Sequence, residues 1–289
     1  MSVTGISTYS TDQIASLSTT DLQSISAADF SGLVSSQLAA LSTRQMGALT
    51  SPQVSALTVS QILDFTAAQF YALATQQVAS ISATDVSVLT SKQLSQITGS
   101  EIAQLTATQL GALSSSQITL LSVTQIRGLG EDQIAGLSTT QVGGLTATQL
   151  GVLGQSVEVL STAQIAALLT TQLAGLTSTE LGTFSTTQFS ALSATQTVGL
   201  SATQLRGLSS ADIGTLSFTL LRSLSSSQLG ALSPAAIPGL RSEQLAALSE
   251  QQVTGFSAAQ MAALGVSTID GLRALQVAAF SVTQLTGLA

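Results

Sequence analysis

Residues 137–153 read LSTTQVGGLTATQLGVL, which states one eight-residue pattern twice: Ser or Thr, two small residues, Gln, an aliphatic residue, two more small residues, Leu. Worked outward, the pattern covers nearly the whole chain of 289 residues. Counted from Ser2, 19 octads run through residue 153, the seven-residue unit GQSVEVL occupies 154–160, and 16 further octads run from 161 to 288. Across the 35 octads, position 1 is Ser or Thr in 28, position 4 is Gln in 25 and Asp or Glu in six, and position 8 is apolar or aromatic in all. Position 5 lapses once, at Thr197, where Val198 is expected to take the buried place. No linker, charge run or composition shift interrupts the array, so residues 1–289 read as one repeat domain.

The spacing decides what an octad folds into. Apolar residues alternate gaps of three and five, which no strand of period two matches. One continuous helix fails too, because eight residues advance about 800° and the apolar stripe drifts by roughly 80° per repeat. A short helix restarted in every octad fits each position. Ser or Thr is the N-cap, Gln at N3 reaches back to the N-cap amide, and Leu before the cap packs on the aliphatic at N4, a capping box joined to a hydrophobic staple.

The sparse charges follow the same frame, since helix starts favour anions and helix ends favour cations. Of fourteen acidic residues, eleven fall at positions 2 to 4, among them Glu131, Asp132, Asp21, Asp29, Glu101 and Asp212, while Arg127, Arg206 and Arg222 fall at position 6. Arg44 and Lys92, at position 3, depart from the rule. Pro234 lies at N1 and Pro52 in the first turn, where a missing donor costs little, whereas Pro238 at position 6 demands a very short or distorted helix. The heptad 154–160 lacks the position 4 Gln and predicts a local bend or phase slip.

Helices of about six residues are not stable alone, so the octads must support one another. The expected fold is all-α, a solenoid of very short helices with positions 5 and 8 forming its inner ladder and small residues at position 7 letting backbones approach. A β-solenoid with stacked Leu, Thr and Gln is the alternative. Phe30, Phe65, Phe70, Phe184, Phe189, Phe256 and Phe280 are expected in the core, and Tyr71 and Phe218 on the surface.

Composition narrows the function. Only 7% of residues are charged and 44% are hydrophobic, which sets the chain apart from disordered sequences. A net charge of −7 with seven scattered cations opposes nucleic acid, whose phosphates call for clustered Lys and Arg. No apolar run is long enough to span a membrane, and MSVTGISTYSTDQIASLS lacks the regions of a cleaved secretory signal. With no His and no Cys, the commonest acid–base side chain, thiol nucleophiles and soft metal ligands are missing. The adjacent acids Glu131 and Asp132 read as helix-start complements, and Ser91 beside Lys92 does not form a working pair, because sequence neighbours diverge on a helix. No enzyme activity, catalytic residue, cofactor or metal is expected.

Units such as STTQVGGL (138–145), TATQLGVL (146–153) and STTQFSAL (185–192) resemble the Leu-Ser/Thr-x-x-Gln repeats of large repetitive bacterial proteins, some of them surface-bound or secreted. The resemblance implies an extended surface or fibre element. An acidic chain free of Cys suits export without a cleaved signal, although the glycine-rich, Asp-containing calcium nonapeptide of many exported repeat proteins is absent. Soluble solenoids carry polar capping units, yet here ordinary octads stand at both ends, with Ile6 and Tyr9 at one and Leu285 and Leu288 at the other. The leading expectation is therefore a non-enzymatic, extracellular or cell-surface structural protein that stacks end to end on itself, without inserting in membranes. The alternatives are a lattice-binding module, presenting a regular Thr/Gln face to ice or a polysaccharide, and an intracellular scaffold.

Overall fold

The computed structural model describes residues 5–288. Among them are 33 α-helical segments of four to six residues and three 3-10 turns, with no strand. The chain is all-α, and the β alternative is not what forms. The reason is local. At the position 1 residue that starts each described α-helix the backbone is extended, as at Ser138 with φ −67° and ψ 158°, and where that residue is Ser or Thr its side chain accepts from the N3 amide, here Gln141. The next helix therefore cannot start unless the previous one has ended. Where position 1 is Val34, Ala74, Gly130, Leu169, Arg241 or Arg273, no side chain accepts, and the N3 Gln alone holds the N-cap amide.

Two compact units, Met1–Gly144 and Leu145–Ala289, are distinguished by their internal packing. Each is built in the same way, as an α-solenoid. Helix 19–24 packs on helix 43–48, three octads later, and in the second unit helix 258–262 packs on helix 282–287 in the same relation. The amide of Gln45 also reaches Ile14 and Leu17, in the fourth octad before it. One coil of the solenoid therefore closes between three and four octads. Positions 5 and 8 fill the interior, and the seven core phenylalanines are all buried, while Tyr71 and Phe218 are exposed.

Several irregular octads show how the frame adapts. Thr197 is itself buried, with its hydroxyl donating to the Ser193 carbonyl, and Val198 is exposed, so the expected exchange between them does not occur. Satisfying the hydroxyl locally is simpler than turning the helix. The octad containing Pro234 and Pro238 forms no α-helix but a turn ending in the 3-10 segment Ile237–Gly239. Pro238 has no amide proton to donate to residue 234, and Ile237 bonds that carbonyl in its place. The heptad forms the 3-10 segment Gly154–Val159, entered through Gly154 at φ 58°, and it keeps Val157 and Leu160 in the core.

Glycine at position 7 does not end helices by a left-handed turn, since positive φ among the described residues occurs only at Gly5 and Gly154. Its role is contact between coils. A Cβ on Gly128 would collide with the Gly99 carbonyl oxygen, and one on Gly239 with that of Ser210. Gly239→Ala should accordingly destabilise the second unit by about 1–3 kcal/mol, whereas Gly143→Ala, which meets open space, should be neutral or slightly stabilising through helix propensity. Chemical denaturation of the two variants checks this difference.

Candidate functional site

The feature repeated most faithfully is the position 4 glutamine, which does more than cap. In the octad Ser122–Leu129, the Ser122 amide donates to Gln125 Oε1 at 2.7 Å, closing the capping box. Gln125 Nε2 points the other way and donates to the Leu94 and Ile97 carbonyls, each at 2.7 Å, on the neighbouring coil. These acceptors lie 31 and 28 residues earlier, at positions 5 and 8 of the fourth preceding octad. The same pair of bonds recurs at Gln53, Gln69, Gln93 and Gln141 in the first unit and at Gln204, Gln252, Gln260 and Gln284 in the second.

This seam satisfies backbone that the fold leaves open. The position 5 carbonyl already accepts from the position 8 amide of its own octad, as Ile97 donates to Leu94, and the glutamine supplies its second bond. The position 8 carbonyl terminates a helix and takes its donor from the next coil. Of the 25 position 4 glutamines, 22 are buried, Gln133 and Gln228 are half-buried, and Gln13 is exposed. They cannot present an exposed comb to a periodic ligand. No buried side-chain nitrogen or oxygen among the described residues lacks a partner.

Where the seam glutamine is replaced, the donor changes. Thr268 donates its hydroxyl to the Leu240 carbonyl. Asp85, Glu101, Glu180 and Asp212 are buried in seam positions; the last three accept from their own N-cap amides, Glu101 from Thr98 at 2.6 Å, and Asp85 accepts from the Ser82 hydroxyl. An ionised carboxylate has no proton to offer the carbonyls opposite.

The seam also gives every coil two unlike faces. The amides point towards the preceding coil, whereas position 5 side chains are covered by the following one. In the first described coil Ile6, Ile14, Leu22 and Phe30 are all buried, and the position 4 residues, which in later coils meet the preceding one, are Gly5, Gln13, Asp21 and Asp29. In the last described coil several apolar positions are less covered, although Phe280 stays buried: Val277 is 43% exposed, Leu285 42%, and Leu288 and Ile269 are half-buried. Of the four end residues expected from the sequence, Ile6 is thus in the core, Tyr9 is half-buried with its carbonyl accepting from Gln37, and Leu285 and Leu288 lie on the open apolar face. The uncovered residues that sequence reading missed, Ile269 and Val277, carry the same position 5 signature.

Residues 22–59 match the model of the ALTTAQ repeat family. The match and the periodic short helices identify an octapeptide repeat protein. No curated protein matches the sequence.

The seam makes a paired prediction. Gln125→Glu removes two donors and sets a charge against two carbonyls, which should cost about 2–4 kcal/mol. Glu101→Gln makes the reverse change and should stabilise the first unit by about 1–2 kcal/mol. Denaturant titration of both variants should move in opposite directions from the parent.

Proposed function

We propose that the chain is a non-enzymatic structural protein, a fibre subunit or surface stalk element, in which cohesion between coils is both the fold and the means of assembly. The observation behind this reading is the last described coil, whose Val277, Leu285 and Leu288 are exposed or half-buried at positions that interior coils bury. A second copy can cover them by seating its first coil there, giving a head-to-tail contact that repeats without closing. Sparse charge opposes such association only weakly. A cell-surface or extracellular setting agrees with the resemblance to repetitive surface proteins and with a chain that has no thiol to protect.

The junction between copies is weaker than an interior one. Of the seam residues that would face the last coil's carbonyls, Gln13 offers an amide, Gly5 offers nothing, and Asp21 and Asp29 bring carboxylates. Association should therefore need concentrated protein. Sedimentation velocity and electron microscopy across a concentration series should show end-to-end oligomers. They should shorten in Leu285→Asp and lengthen in the double variant Asp21→Gln, Asp29→Gln. A parent and a double variant that both stay monomeric at the highest soluble concentration would remove the assembly reading.

A further inference from the structure

Seven cations are spread over 289 residues, yet two of them meet at one groove in the second unit. Arg222, in the last turn of helix 218–223, donates from Nε to the Ala247 carbonyl at 3.1 Å. Arg273 donates from Nη2 to the next carbonyl, that of Leu248, at 2.7 Å. Each side chain crosses 25 residues of sequence, one reaching forward from an earlier octad and the other back from a later one. Both guanidinium groups are thereby fixed against consecutive carbonyls of a turn that lies between them.

The groove has a volume of about 630 Å³, within the ordinary range for small-molecule sites. Between the arginines it is lined by Ser225, Ser249 and Gln251, and no aromatic residue contributes to its walls. Arg273 occupies position 1, where most octads carry Ser or Thr, and its helix loses the side-chain half of its cap. That exchange gives up a local stabilising bond and places a cation at the groove. A guanidinium has five donors in a planar fork suited to a carboxylate, and here each group has committed one of them to backbone.

We propose that this groove binds an acidic carbohydrate, with the two guanidinium groups taking uronate carboxylates and the serine hydroxyls and Gln251 amide taking sugar hydroxyls. Lack of an aromatic stacking surface disfavours nucleotides, and hydroxyl and amide groups between two cations suit a chain that is both hydroxylated and anionic. Glu250, exposed beside Ser249 and Gln251, adds a like charge at the rim and keeps the affinity modest. The site stands independently of end-to-end assembly, since Arg222 and Arg273 lie outside the faces involved there.

Trigalacturonate titrated into the full-length protein by calorimetry tests the proposal, with neutral trigalactose and inorganic sulfate as comparison probes. Trigalacturonate should bind in the millimolar range or tighter. Arg222→Gln and Arg273→Ser should each weaken it by about tenfold, Glu250→Gln should tighten it, and the distant exposed Arg127→Gln should leave it unchanged. Arg273→Ser restores the usual cap residue, so its loss of binding cannot be assigned to misfolding. No measurable binding of trigalacturonate, binding by both arginine variants as tight as by the parent, or sulfate or trigalactose binding as tightly would each overturn the assignment.

Discussion

The position 4 glutamine is the interaction on which the rest of this structure depends, because its two ends solve different problems. Oε1 holds the amide that begins a helix, and Nε2 holds the carbonyls that end helices in the coil before it. A helix of four to six residues leaves most of its polar backbone outside its own hydrogen bonds, and burial of such groups without partners is costly. Stacking through the glutamine satisfies these groups where coils touch. The aliphatic ladder contributes the driving force, but it is non-directional, and the amide fixes which coil meets which.

Close approach of the backbones follows from the same geometry. A side chain as short as Gln can bridge coils only if they lie near one another, and the glycines opposite the Gly99 and Ser210 carbonyls show how little space remains. Small residues at position 7 and amides at position 4 are two expressions of one separation. Octads that lack one part compensate nearby: Thr268 shortens the donor, and the octad with Pro238 replaces its α-helix with a 3-10 turn.

Much of this was legible in the sequence. The capping box and staple gave a helix start in each octad, and the core phenylalanines, exposed Tyr71 and Phe218, and the slip at 154–160 followed from position alone. The number of octads per coil was not legible, because the Nε2 acceptors are main-chain carbonyls, which every residue possesses. One signal did exist. Glu closes a capping box as well as Gln does, so a chain with 25 glutamines and only two glutamates at that position was reporting a need for a donor. The inequality of the ends was hidden for a related reason. Ile6 and Leu285 share an apolar position 5, and only the direction of stacking makes one covered and the other open.

The seven-residue unit 154–160 shows what this one-sided recognition permits. Across it, Gln172 finds the Leu145 carbonyl 27 residues back, and by Gln188 the spacing has returned to 28, with Leu160 as acceptor. The missing residue is absorbed near the heptad, and the 28-residue spacing to the position 8 carbonyl is restored two octads later. Seams made of paired side chains need matched changes on both sides whenever a unit is gained or lost. Here the accepting side is sequence-blind, so lengthening or shortening by gene duplication and deletion encounters little structural resistance, and chain length becomes a freely adjustable trait.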